Sequence, residues 1–148
     1  MLHVALLQLR GELPPPPLSA TIGLRMKSIA PGEAVFELDV DGRFHNPLGT
    51  AHGGILTVVA DSAMGMAFAS TLGEGEVFTT IELKINFLAP VTVGTLVGKG
   101  RVVKRGRTIG LTECDLLVGD QLVARSASTC MVIRTPAQPT SEDQTPRK

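Results

Sequence analysis

The segment from Asn46 to Ala69 reads NPLGTAHGGILTVVADSAMGMAFA, and it decides the fold of this chain. From Gly53 onwards it is apolar nearly all round, and Asp61 is its one carboxylate. A lone helix of this kind must be enclosed, and a strongly curved antiparallel sheet can wrap it. Because a buried carboxylate without a partner is costly, we expect Asp61 to be paired, protonated or functional.

The start of this helix adds a second chemical feature. The small residues of Ala51-His52-Gly53-Gly54 let another group approach the backbone closely. A helix N-terminus offers unpaired N–H groups and the positive end of the helix dipole. One element therefore carries both an oxyanion-type donor site and an acid, and that combination suggests chemistry on a carbonyl group.

The rest of the chain alternates between strand patterns and turn signals. A short helix is predicted over residues 1–10, and a polyproline stretch separates it from the body. In the third strand, Ile81 and Leu83 are expected on one face, and Thr80 and Glu82 on the other. Six strands are predicted: Ile22–Ala30, Ala34–Val40, Phe78–Ala89, Val91–Val103, Thr108–Val118 and Leu122–Ile133.

The predicted fold class is α+β, with one long central helix wrapped by a curved antiparallel sheet of about six strands. Residues 1–17 form an N-terminal helix and proline-rich linker in this prediction, and residues 18–134 form the domain. The tail over residues 135–148 is rich in Pro, Ser, Thr, Gln and charge, so we expect it to be disordered.

Composition excludes several classes of function. The 148 residues carry no formal net charge and contain neither Trp nor Tyr, which argues against nucleic-acid binding. An aspartate inside the longest apolar run argues against a membrane span. Cys114 and Cys130 are expected to be reduced core thiols. The histidines have no metal-site spacing, so no metal is expected, and no redox cofactor is implied. We also expect the protein to be cytoplasmic.

Helix geometry separates the two candidate chemical groups. Gly53 and Asp61 are eight residues apart, which is about 12 Å along a helix. One small ester or thioester carbonyl cannot meet both groups within a single chain. If two such helices run antiparallel across a two-fold axis, Gly53 of one comes near Asp61 of the other. We therefore expect a homodimer with shared sites.

The residues Asn46-Pro-Leu-Gly-Thr-Ala-His52-Gly53-Gly54, followed by Asp61, resemble a known family. They are similar to the hot-dog fold thioesterases of the phenylacetate-pathway (PaaI-like) group, within the 4-hydroxybenzoyl-CoA thioesterase superfamily. The resemblance extends from about residue 22 to residue 133. It implies a hot-dog dimer, commonly doubled into a homotetramer, that hydrolyses acyl-coenzyme A thioesters.

The resemblance also implies roles for five residues. Asp61 would be the general base or the nucleophile, and the Gly53 N–H would stabilise the oxyanion. Asn46 would orient the water or the carbonyl, Thr80 would help to place the water, and His52 would be structural or a minor contributor. Plainer alternatives remain open: a structural carboxylate at 61, close packing at 53, a turn residue at 46 and an ordinary strand residue at 80.

Substrate contacts are less well defined. Gly54 adjoins the donor, and Met64 and Phe68, with Met66 between them, hint at an apolar acyl pocket, although these are equally core residues. Arg105 and Arg107 could meet coenzyme A phosphates, although a solvated hairpin tip explains them as well.

Aromatic, short and medium-chain acyl groups all stay open as substrates. A second hypothesis is a non-catalytic module that binds or senses acyl-coenzyme A on the same fold. Such a module would not need Asp61 together with Asn46, and this favours the enzyme.

Overall fold

A computed structural model describes residues 2–134 of the chain, so the predicted tail lies outside the described residues. Two short helices, α1 (Leu2–Leu9) and α2 (Pro17–Ile22), precede the sheet. Proline suits the first turn of α2, and Gly23 ends that helix with a φ of 78°. The first predicted strand is therefore too long at its start, because its first residue belongs to α2.

The sheet has six strands, and every neighbouring pair in it is antiparallel. Its spatial order is β1-β2-β4-β5-β6-β3. The prediction of an α+β fold with one long helix and about six antiparallel strands is confirmed. The bounds are β1 (Arg25–Ala30), β2 (Glu33–Val40), α3 (Gly53–Ala69), β3 (Glu76–Phe87), β4 (Gly94–Arg105), β5 (Ile109–Val118) and β6 (Gln121–Arg134).

One side of α3 packs tightly against the sheet. Val59, Ala63 and Ala67 on this side are fully buried. Gly98 and Gly100 of β4 face them, and a methyl group added at Gly100 would overlap the backbone of Ala63. Small residues thus allow β4 to approach the helix backbone closely.

A β-bulge in β3 changes which side chains face α3. Thr80 pairs with Cys130, whereas the next pair is Glu82 with Thr129, so Ile81 is the extra residue. Cys130 is fully buried, and Thr80 accordingly points toward the helix side of the sheet. The predicted alternation, with Ile81 and Leu83 on one face and Thr80 and Glu82 on the other, is therefore wrong at this point, since a bulge shifts the side-chain phase by one residue.

The other side of α3 is not covered within residues 2–134. Gly54 and Asp61 are exposed there, and Val58 and Ser62 are half-buried. The expectation that Asp61 is buried is therefore not met among residues 2–134, because the sheet covers only one side of the helix.

The strand beside this uncovered side is also incompletely paired. Among residues 2–134, β3 pairs only with β6 and leaves its outer edge free. Ile81, Phe87 and Leu88 are each more than half exposed along or just after this strand. A free edge and an apolar surface of this kind are typical of a face that pairs with another chain.

Two further sequence predictions concern the cysteines and the absence of a membrane span. Cys114 and Cys130 are free and buried, as expected, and burial raises the pKa of the Cys114 thiol to about 12. Across residues 2–134, the helices are all too short or too polar to cross a membrane.

Candidate active site

The start of α3 presents one backbone donor without an acceptor. His52 caps the helix, because its Nδ1 accepts the N–H of Gly54 at 3.0 Å. The N–H of Ile55 donates to the carbonyl of His52 at 2.9 Å. The structure gives the N–H of Gly53 no acceptor anywhere in residues 2–134. That group lies at the positive end of the helix dipole and can donate to an anionic oxygen.

Phe87 packs directly over this donor. A Cβ placed on Gly53 would lie 2.8 Å from Cζ of Phe87, and its three nearest neighbours all belong to that ring. The residue at 53 must therefore lack a side chain for the ring to take this position. The two residues line a pocket of about 410 Å³ together with Asn46, Thr50, Ala51, Leu56, Leu88, Ala89, Pro90 and Val91.

Asn46 organises the loop that leads into the helix. Its Oδ1 accepts the N–H of Leu48 at 2.9 Å, and its Nδ2 donates to Oγ1 of Thr50 at 3.1 Å. Its backbone N–H donates to the carbonyl of Thr50 at 2.7 Å. These bonds are those of a turn-forming asparagine, the plainer of its two alternatives. The same side chain is half-buried and lines the pocket beside Gly53.

Asp61 lies two turns farther along α3, on the uncovered side. Oγ1 of Thr80 donates to its Oδ1 at 3.2 Å. Within residues 2–134, Thr80 is its only hydrogen-bond partner, and no strand amide caps the carboxylate. The bulge at Ile81 is what aims Thr80 at the acid. One carboxylate oxygen is thus oriented by a hydroxyl, and the other can accept a proton from water.

Asp61 and Thr80 both line a large cavity of about 800 Å³. Its walls come from α3, from the first strands and from the segment between α1 and α2. Most of the lining is apolar: Leu13, Pro14, Pro15, Pro16, Leu18, Leu24, Met26, Phe36, Gly65, Met66 and Phe78. A carboxylate with one hydroxyl partner in such surroundings can act on the carbonyl of an apolar ligand.

The predicted catalytic residues fall into two groups within one chain. We call Asp61 with Thr80 the acid half-site, and Gly53 with Asn46 the donor half-site. They line different cavities, and α3 rises about 12 Å between residues 53 and 61. His52 and Gly54 line a third pocket, of about 300 Å³. The chain thus brings each pair together but keeps the two half-sites apart.

The predicted substrate contacts lie elsewhere. Met64 and Phe68 are fully buried in the core and line neither half-site. The guanidinium of Arg105 sits 5.2 Å from the ring centre of Phe68 and forms an ion pair with Glu76 at 2.8 Å. Arg105 is therefore engaged inside the chain, whereas Arg107 is exposed in the turn between β4 and β5.

Sequence reasoning missed the residues that build most of the cavity around Asp61. Met66, which the sequence analysis suggested for an acyl pocket, does line this cavity, and Phe78 belongs to a predicted strand. Residues 11–17, however, were interpreted as part of the N-terminal helix and proline-rich linker. Leu13 and Leu18 flank the proline run, and two leucines at a linker's ends were the available signal.

A metal centre finds no support among the described residues. Across residues 2–134, no three side chains of the His, Cys, Asp and Glu types come together as possible metal ligands.

The sequence matches a family profile and several named relatives. The profile of the Thioesterase superfamily matches residues 48–124, which is 77 of the 148 residues. A 1,4-dihydroxy-2-naphthoyl-CoA hydrolase of Listeria monocytogenes is 29% identical, over 65% of this chain and 78% of the relative. Human acyl-coenzyme A thioesterase 13 is 30% identical, over 63% of this chain and 66% of the relative.

Solved structures agree with these sequence relatives. A phenylacetic acid degradation-related protein of Ralstonia eutropha JMP134 superposes with a TM-score of 0.77 and 31% identity. The superposition covers 84% of this chain and 96% of that protein. The likeness to this structure therefore extends over most of the chain, beyond the residues that the family profile matches.

Proposed function

Because this chain belongs to the Thioesterase superfamily and is a thioester hydrolase, we propose that it hydrolyses acyl-coenzyme A thioesters to a free acid and coenzyme A. One observation carries the proposal: Asp61 accepts a hydrogen bond from Thr80 at the wall of a large apolar cavity. Relatives named for hydrolysis of coenzyme A thioesters supply the substrate class.

Asp61 supplies the base or the nucleophile of the reaction. In the first route, water attacks the thioester carbonyl while the carboxylate takes its proton, and coenzyme A leaves as the thiol. In the second route, the carboxylate attacks the carbonyl, coenzyme A leaves, and water hydrolyses the mixed anhydride. Both routes consume one water for each thioester. The hydroxyl of Thr80 fixes Oδ1, so that Oδ2 faces the reacting water or carbonyl.

The donor half-site of a second chain completes the oxyanion hole. Both routes develop negative charge on the carbonyl oxygen, and a helix N-terminal N–H is well suited to stabilise it. The N–H of Gly53 has no acceptor among residues 2–134, and it lies too far from Asp61 of the same chain to act on the same carbonyl. Antiparallel packing of two α3 helices across a two-fold axis brings them together. Asn46 holds the loop that positions this donor.

The surface for that packing is the uncovered side of α3 with the free edge of β3. It supports a homodimer with two shared sites, and we extend the proposal to a homotetramer of two such dimers. Two buried free cysteines agree with a reducing compartment such as the cytoplasm, which we include in the proposal.

A panel of acyl-coenzyme A thioesters, with hydrolysis followed by release of free thiol, tests the function. We expect Asp61→Asn to lower kcat by roughly 10²–10⁴-fold, the usual contribution of a general base, or by more. Asp120→Asn is the matched control, since this aspartate is exposed in the turn between β5 and β6 and lines neither half-site. Its activity should equal that of the parent.

Two outcomes would contradict the proposal. Turnover by Asp61→Asn within about threefold of the parent would make the acid structural. Tight binding of acyl-coenzyme A by the parent, without thiol release from any member of the panel, would favour the binding module instead.

A further inference from the structure

We propose that the segment from Gly11 to Ser19, which we call the strap, forms one wall of the acyl pocket and makes the enzyme select uncharged, apolar acyl chains by their length. This inference rests on the proposed function. It concerns residues outside the region that the family profile matches, which begins at residue 48.

The strap forms one wall of the cavity that Asp61 lines. Asp61 and Thr80 line this cavity, so an acyl carbonyl placed beside Asp61 has its chain next to the same walls. Across the cavity from α3, the strap contributes its leucines and prolines. Eight strap residues line it: Gly11, Glu12, Leu13, Pro14, Pro15, Pro16, Leu18 and Ser19.

The strap is held in place without being buried. Nε2 of Gln8 donates to the carbonyl of Pro14 at 3.2 Å, and the N–H of Glu12 donates to the carbonyl of Leu7 at 2.9 Å. Consecutive prolines stiffen the chain between α1 and α2 in an extended form. Leu13 and Leu18 nevertheless remain 38% and 55% exposed. Their apolar surface is available to a ligand in the cavity.

The charges around the cavity disfavour a carboxylate on the acyl chain. Its ionisable lining residues are Glu12, Arg25 and Asp61. Glu12 pairs with Arg10 at 3.1 Å, and Arg25 pairs with Asp39 at 3.0 Å. Of these three lining residues, only Asp61 has no ionic partner within residues 2–134. Its proposed role is that of base or nucleophile in the hydrolysis. Among residues 2–134, the lining holds no cation without an ionic partner that could pair with a carboxylate on the acyl chain.

The volume of the cavity sets the expected length of the acyl chain in the substrate. A cavity of about 800 Å³ lies within the range of roughly 300–1,000 Å³ that holds drug-sized ligands. An apolar acyl chain gains about 0.8 kcal/mol for each buried methylene, which is about a fourfold gain in kcat/KM per methylene when the gain is realised in the transition state. Longer chains should therefore be preferred until the cavity is filled.

The test measures kcat/KM for straight-chain acyl-coenzyme A thioesters from butanoyl to hexadecanoyl, with the full-length protein. The parent should show a rise of up to about fourfold per methylene, followed by a plateau. Leu13→Asn should flatten that rise, because it makes the wall polar. Leu9→Asn is the matched control: Leu9 is also 38% exposed and lies in α1, but it does not line the cavity.

A second variant tests the strap as a wall by adding bulk to it. Ser19→Phe adds bulk at the half-buried base of the strap and should move the plateau to shorter chains. Melting temperatures of all variants establish that they are folded.

An unchanged chain-length profile in both Leu13→Asn and Ser19→Phe, or a flat profile in the parent, would overturn the assignment of the strap and leave the proposed function intact. Absence of hydrolysis for every thioester in the parent would instead contradict the proposed function.

Discussion

Replacing Gly53 with proline removes one backbone N–H and leaves the rest of the helix start able to form. Proline is favoured at the first helical position, which Gly53 occupies. His52 already has φ −62° and ψ 134°, the extended backbone that a following proline requires. The N–H that is lost has no acceptor in residues 2–134, so no hydrogen bond of the described chain is broken.

The substitution has one steric side effect, and the structure shows how to cancel it. Any Cβ at position 53 would lie 2.8 Å from Cζ of Phe87. Ordinary carbon contacts are about 3.5–4.0 Å, so the ring would have to move by about 1 Å. Gly53→Ala introduces the same Cβ but keeps the N–H, and Phe87→Ala removes the ring. The informative comparison is therefore between Gly53→Pro and Gly53→Ala, each combined with Phe87→Ala.

We expect the proline variant to have a kcat roughly 10²–10³-fold below that of the alanine variant, the usual cost of losing one oxyanion donor. The assay is thiol release from one good acyl-coenzyme A substrate at saturation. The melting temperatures of the two variants should agree within about 4 °C, equivalent to about 1 kcal/mol. Equal kcat values in two equally stable variants would refute the role of this N–H in the transition state.

Three further predictions concern other parts of the chain. Thr80→Val should lower kcat, because it removes the hydroxyl that orients the carboxylate of Asp61. Thr79→Val, on the exposed face of β3, is the control and should leave kcat unchanged. If the two variants have equal activity, the Thr80 hydroxyl is dispensable. Cys114 and Cys130 should resist alkylation at pH 8 until the protein unfolds, since burial raises the pKa of both thiols; rapid labelling of the native protein would contradict their burial. Truncation after Thr135 should leave the melting temperature within a few degrees of the parent, and a larger fall would show that the tail packs on the domain.

The sequence predicted the architecture well because its signals are local. The apolar run that begins at Gly53 forms α3, and the glycine and proline signals separate the strands close to their observed bounds. Helix geometry alone places Gly53 and Asp61 too far apart for one small carbonyl.

What the sequence did not predict depends on contacts between distant segments. The bulge at Ile81 arises from the pairing of β3 with β6, and it turns Thr80 toward Asp61 against the simple alternation. The apolar character of α3 does not reveal that the sheet covers only one of its sides. The strap up to residue 17 was interpreted as part of the N-terminal helix and linker, because a run of prolines carries no periodicity that could indicate which cavity it lines.

The central claim is that each site takes its acid from one chain and its oxyanion donor from another, and mixing two inactive variants tests it most directly. Gly53→Pro and Asp61→Asn are combined in equal amounts under conditions of subunit exchange, which mass-tagged subunits verify. Random pairing makes about half of the dimers mixed, and each mixed dimer has one site with both lesions and one intact site.

Activity should therefore recover to about a quarter of the parent level, well above that of either variant alone. If mixed dimers form and the activity stays at the level of the separate variants, the acid and the donor do not act across the two-fold axis, and the account of a shared site is contradicted.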